Sequence, residues 1–191
     1  MKLIKKIIIP LTLLSLSSCG SSGGNNLLAK YYNEMQTKEN YKVEIKISSK
    51  DTNVEAVYER DENYYHTNAD NGNSKYDYVV DLKNYKSYDY DYESSTYNQG
   101  DTFNTFKNIG EVLSNYGFTN GIFNASSSYD ETNKIFKINK NYESGKFTIT
   151  KFDVSVSDKE IKHIDSVINS NGRELTYSID LSYNQTVEFK I

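Results

Sequence analysis

The sequence predicts an α+β domain built on a long antiparallel sheet, with an N-terminal helix and a central helix covering one of its faces. Three observations lead there. Apolar residues recur at spacings of three and four in two stretches, they alternate with polar residues nearly everywhere else, and short polar turns separate the alternating runs.

The first helical stretch is Leu27 to Lys38. Leu27, Leu28, Tyr31, Tyr32 and Met35 fall on one face, Asn26 stands where an N-cap is wanted, and Lys30 and Glu34 form an i,i+4 pair on the other face. From Tyr41 the period becomes two. Tyr41, Val43, Ile45 and Ile47 alternate with Lys42, Glu44, Lys46 and Ser48, which is a strand with one buried face. Asp51-Thr52-Asn53 and Asp61-Glu62-Asn63 turn the chain into Val54 to Arg60 and Tyr64 to Thr67, and Asn68 to Ser74 reads as a polar loop. Tyr76 to Leu82 and Tyr85 to Tyr97 continue the meander. Helical spacing returns over 101–116 in Phe103, Phe106, Ile109, Val112, Leu113 and Tyr116, with Gly117 placed as a C-cap and Gly110 as a weak point. A second meander follows: Ile122-Phe123, Lys134 to Asn139, Lys146 to Ser157, Glu160 to Ile168, Glu174 to Ser182 and Thr186 to Ile191. Asn171-Gly172 between two alternating runs is the strongest hairpin signal, a type I′ turn.

The N-terminus is of another kind. Lys2, Lys5 and Lys6 precede an apolar run from Ile7 to Leu16, too short for a membrane-spanning helix and of the length a signal peptide uses. Leu16-Ser17-Ser18-Cys19 resembles the bacterial lipobox, and Cys19 is the single cysteine. The resemblance implies cleavage after Ser18 and a diacylglyceryl thioether on Cys19, which anchors the mature chain to the outer face of the cell membrane. Residues 1–18 are then the leader, 19–26 a lipidated Gly/Ser/Asn tether, and 27–191 one domain. Removing the leader leaves 19 basic against 26 acidic side chains, a net charge of −7, because three of the 22 basic residues depart with it. An acidic domain of this sort is repelled by nucleic acid and by anionic head groups, so the expected membrane contact is the lipid itself.

Catalytic constellations are scarce. His66 and His163 stand far apart without metal-ligand spacing, and His163 is expected to share a strand face with Ile161, Asp165 and Val167. The sequence has no phosphate-binding loop, dinucleotide fingerprint or nucleophile elbow, so neither an enzyme nor a cofactor or metal is expected. Asp89, Asp91 and Glu93 alternate with Tyr88, Tyr90 and Tyr92. Carboxylates about 7 Å apart along one strand diverge, so this reads as a solvated acidic face backed by a buried aromatic one. Tyrosine hydroxyls need partners, which suits a partly wet cavity. Tyr85, Tyr88, Tyr90, Tyr92 and Tyr97 are its candidate lining, with Phe106 and Leu113 completing it from the central helix.

The order helix, meander, helix, meander is similar to that of the LolA and LppX families of envelope lipoprotein carriers and binders. The likeness rests on Tyr41 to Tyr65 and on Glu160 to Ile191, with Asn171-Gly172-Arg173-Glu174-Leu175-Thr176-Tyr177 at the hairpin. It implies an open half-barrel wrapped round helices and a lipid or other apolar ligand inside. LolA itself is not lipidated, so the anchored LppX type fits better. Two readings of function result. In the first, a ligand sits between sheet and helices in an apolar pocket of roughly several hundred Å³. In the second, exposed tyrosines bind a protein or polysaccharide partner at the cell surface.

Overall fold

The structure, a computed structural model, describes residues 27–189. The leader, Ser18, Cys19, the tether and Asn26 lie outside the described residues. The chain runs α1 (Leu27–Met35), β1 (Tyr41–Ser48), β2 (Asn53–Arg60), β3 (Tyr64–Asp70), β4 (Lys75–Asp81), β5 (Lys86–Asp91) and β6 (Thr96–Gly100). It continues with α2 (Ile109–Asn115), α3 (Asn120–Phe123), β7 (Ser127–Asp130), β8 (Ile135–Ile138), β9 (Tyr142–Ser144), β10 (Phe147–Ser157), β11 (Glu160–Ser170) and β12 (Arg173–Tyr183). All twelve strands join one open sheet in the order β6-β5-β4-β3-β2-β1-β12-β11-β10-β8-β7, with β9 beside β10. The pairs are antiparallel throughout. The two meanders therefore meet at β1 and β12, the pair of described strands farthest apart in sequence.

Register divides the sheet into two faces. Val43, Ile45, Tyr58, Ala56, Ile179 and Leu181 stand opposite one another across β2, β1 and β12, and all are buried. They share one core with Leu28, Tyr32 and Met35 of α1, Val112 and Leu113 of α2, and Ile122 and Phe123 of α3. Phe123 stacks on Tyr32 with centroids 3.9 Å apart and meets Phe152 of β10 edge-on at 5.1 Å. The alternate residues of these strands and of β3, such as Lys42, Glu59, His66 and Asp180, form a second face that none of the described helices covers.

The central helix is shorter than its spacing predicts. Asn108 caps it, accepting from the Glu111 amide at 3.0 Å, so residues 101–107 lie outside. That segment instead crosses the core face, held where the Tyr41 hydroxyl donates to the Phe106 carbonyl at 2.7 Å and the Tyr78 hydroxyl donates to the Asn104 carbonyl. Phe106 packs edge-on against Tyr58. The C-terminus follows the expectation: Gly117 adopts φ 88°, and the Phe118 and Gly117 amides donate to the Leu113 and Ser114 carbonyls, a Schellman motif. Gly110 has a use that its poor helix propensity hides. A Cβ there would come within 2.9 Å of the Gln36 side chain, and its amide donates to the Gln36 carbonyl, so the end of α1 feeds directly into the start of α2.

Other differences are local. β3 runs on through Asn68 to Asp70, which read as loop, because the three residues pair with β2 and β4. Ile122-Phe123 is helical, β7 and β9 carry too few apolar residues to announce themselves, and Thr186 to Phe189 forms no strand. Three turns repeat one device. Asp81, Asp91 and Asp130 each accept from the backbone amides two and three residues on, while Tyr85, Ser95 and Lys134 take positive φ. Asn171 and Gly172 have φ of 51° and 77°, the type I′ turn expected.

Candidate functional site

The uncovered sheet face carries the molecule's most organised polar chemistry, a row of alternating charge crossing from β1 to β6. Lys42 Nζ stands 3.2 Å from both Glu44 Oε1 and Glu59 Oε1. Glu59 Oε2 is 3.2 Å from His66 Nδ1, and His66 Nε2 is 3.1 Å from Asp77 Oδ1. Asn68 donates to Asp77 Oδ2 at 2.7 Å, and the Tyr97 hydroxyl reaches over from β6 to donate to Asp77 Oδ1 at 2.7 Å. Antiparallel register builds this row. Lys42 opposes Glu59, Glu59 opposes His66, and Asn68 opposes Asp77.

With a carboxylate at each ring nitrogen, His66 is held as the imidazolium. Burial opposes the charge, but the hydrogen bonds and charges of Asp77 and Glu59 outweigh it and raise the pKa from 6.5 to about 9. The His66 bond pulls the Glu59 carboxyl below its ordinary range. Asp77 is also lowered, because bonds from His66, Tyr97 and Asn68 overcome its burial. His163 repeats the motif on β11, 2.7 Å from Asp180 and 3.2 Å from Asp165, and its pKa too is raised against the effect of burial. Its face differs in one respect from expectation. A bulge pairs Ser155 with His163 but Val156 with Ile161, which turns Ile161 into the core beside Ile164 and leaves His163 with Asp165 and Val167. Among the described residues, no three His, Cys, Asp or Glu side chains are arranged to hold a metal.

The His66 row has a measurable pH signature. A folded pKa above the unfolded value means that its stabilisation is complete below about pH 6.5 and is lost as pH rises through about 9. The difference amounts to at most about 3 kcal/mol, His66 being 21% exposed. Urea unfolding at pH 6 and pH 9.5 should show this fall in the native chain and a shallower one in His66→Gln. Parallel pH profiles for the two proteins would remove His66 from the row.

Beside the row lies an aromatic cluster. Tyr90 meets Tyr92 and Tyr97 edge-on, each at 5.0 Å. Phe189 of the C-terminal segment sits among Tyr97, Tyr88 and Tyr64 at 5.0, 5.4 and 5.8 Å. The segment is fixed one turn earlier, where the Val187 amide donates to the buried Asp61 carboxylate at 2.9 Å. Val79, directly opposite Tyr88 on this face, is 2% exposed. Tyr88, Tyr90 and Tyr97 are half-buried and Tyr92 is 47% exposed.

The seven aromatic and apolar candidates for one cavity are thus divided. Tyr88, Tyr90, Tyr92 and Tyr97 gather on the uncovered face. Tyr85 stands in the β4–β5 turn, 81% exposed, while Phe106 and Leu113 lie on the core face. Period-two alternation separates neighbours, so Tyr88 and Asp89 take opposite faces, and the core belongs to Asp89's side of the sheet. Neither face of β5 is fully buried. The volume between sheet and helices is filled by side chains such as Leu113, Phe118, Ile122 and Phe152, each no more than 1% exposed. Two depressions lie at the surface. One of about 410 Å³ lies between the β1–β2 and β11–β12 turns, lined by Ser49, Lys50, Asp51, Arg173 and Glu174. The other, of about 270 Å³, is lined by Tyr31, Met35, Lys38, Lys159, Glu160 and Tyr183. Both linings carry charges of each sign.

No family model matches this chain. Nor does any curated protein. The site therefore rests on its own geometry. Sequence reading alone missed Lys42, Glu59, Tyr64, Asn68, Asp77 and Phe189. For Glu59 and Asp77 the signal was available in the turns, since Asp61-Glu62-Asn63 sets Glu59 opposite His66 and the β3–β4 turn sets Asp77 opposite Asn68. For Phe189 there was none, because an alternating C-terminal run looks like one more strand.

Proposed function

We propose that the chain is an extracytoplasmic lipoprotein, anchored by lipid on Cys19, that binds a partner on the uncovered face of its sheet. One observation carries this reading. The tyrosine cluster and the charge row adjoin on a face that the fold does not use for its own core. Aromatic rings with a polar tip suit an interface, supplying contact area at small entropic cost while their hydroxyls keep hydrogen-bonding partners. The charge row is nearly balanced, two cations against three carboxylates, so it orients the tyrosines and offers hydrogen bonds without a strong field that would repel a neutral protein or polysaccharide. The half-barrel curvature implied by the LolA and LppX likeness fits the same reading, since a sheet bent round its helices turns its other face outward. The closely filled core favours binding at this face over enclosure of a lipid. The chemical reactivity of Tyr92 on intact cells tests the proposal, because a bound partner shields it there and is absent from the purified chain.

A further inference from the structure

We propose that β6 is a docking edge for a second copy of this chain, which pairs with it antiparallel about a two-fold axis at Asn98. β6 pairs with β5 without a bulge from Asp91↔Thr96 to Ser87↔Gly100, and it ends the sheet. Among the described residues, no backbone group outside β5 bonds to it. Thr96, Asn98 and Gln99 are exposed, and the chain leaving Gly100 crosses the core face, so the edge stays open.

The two ends of the sheet are treated differently. Proteins blunt exposed edges with charge, proline, bulges or very short strands. The far end follows that practice: β7 and β8 have four residues and β9 three, β8 and β9 divide the flank of β10 between them, and Asp130 and Lys137 lie within β7 and β8. β6 has none of these devices. Thr96-Tyr97-Asn98-Gln99-Gly100 contains no charged residue and no proline.

What fits such an edge is a strand of equal neutrality, and β6 itself qualifies. Pairing about Asn98 sets Thr96 opposite Gly100 and Tyr97 opposite Gln99 of the other copy, with no like charges facing. The two Asp101 carboxylates fall at opposite ends, about 20 Å apart, beyond the screening length in physiological salt. On the uncovered face the two Tyr97 rings become diagonal neighbours, within reach of one another, and join the aromatic clusters into one. Because the contact is isologous, the same edge of each copy being used about a two-fold axis, the pairing closes at two copies.

The test uses the full chain with a substitution at the axis. Asn98→Lys and Asn98→Asp each place like charges directly opposite across the two-fold axis; within one copy each also falls opposite Asp89, so circular dichroism and urea unfolding must first show both variants folded with β5–β6 intact. Sedimentation should show dimers for the native chain, at least tenfold weaker association for either variant alone, and dimers again when the two variants are mixed. In a Cys19→Ser chain, Asn98→Cys should oxidise to a disulfide-linked dimer under conditions that leave Asn71→Cys, in an exposed turn, monomeric. A monomeric native chain, equal cross-linking at the two positions, or no recovery on mixing would overturn the proposal. So would a strand from a different protein found on β6.

Discussion

Phe123→Ala should remove about 3–5 kcal/mol of folding stability, the range for deleting a fully buried phenylalanine. Phe123 is 0% exposed and belongs to a four-residue helix that could not persist alone. Its ring fixes three elements at once: Tyr32 of α1 stacks on it at 3.9 Å, Phe152 of β10 meets it edge-on at 5.1 Å, and its own helix leads from α2 towards β7. A domain of this size is stable by roughly 5–15 kcal/mol in total. No disulfide reinforces it, the single cysteine lying at position 19. The variant should therefore unfold at a much lower urea concentration, followed by circular dichroism because the chain lacks tryptophan. Phe123→Leu, which keeps most of the volume, should cost less than about 1.5 kcal/mol. A loss below 1 kcal/mol for the alanine variant would mean that the helices are not part of the core.

Cys19→Ser should abolish lipid attachment outright. Cells given radiolabelled palmitate should label the native chain and leave the variant at background, and mass spectrometry should find the variant's leader of 18 residues uncut. The effect is all-or-none because Cys19 is the single cysteine of the chain. On the proposed cleavage after Ser18 the remaining chain would carry a net charge of −7, which anionic lipid repels, and none of the described helices is long and apolar enough to cross a membrane. Stable anchoring by acylation takes two chains, which a diacylglyceryl group provides. Palmitate retained by the variant would contradict the assignment of Cys19.

Much of the fold was legible because it is locally encoded. The 3.6-residue spacing located α1, and the alternation of Tyr41 to Ile47 gave the buried face of β1. Asn171-Gly172 gave the hairpin that aligns β11 with β12. What escaped depends on distant partners. Residues 101–107 have helical spacing, yet hydroxyls from Tyr41 and Tyr78, far off in sequence, bond the Phe106 and Asn104 carbonyls and hold the segment outside the helix. The bulge near His163 changes which residues share a face, and nothing in the alternation of Ile161 to Ile168 signals it. The site was half legible. Tyr88, Tyr90, Tyr92 and Tyr97 were recognised as a group, but alternation alone does not tell which face of a strand the helices cover. The helix layer takes the side of Val43 and Tyr58, and pairing through β3 and β4 then sends these tyrosines to the other. Phe189 reached them only through the C-terminal turn at Asp61.

The claim that this face binds a partner is tested most directly by tyrosine modification on intact cells. Tyr92 is 47% exposed, and Tyr76, Tyr85 and Tyr129 are 46%, 81% and 42% exposed at places away from the cluster. Iodination followed by peptide mass spectrometry compares each tyrosine in the cell envelope with itself in the purified full chain. The expected result is at least a severalfold loss of reactivity at Tyr92 on cells, with Tyr85 and Tyr129 unchanged. Equal reactivity of Tyr92 in both settings, alongside unchanged controls, would contradict a bound partner on the uncovered face.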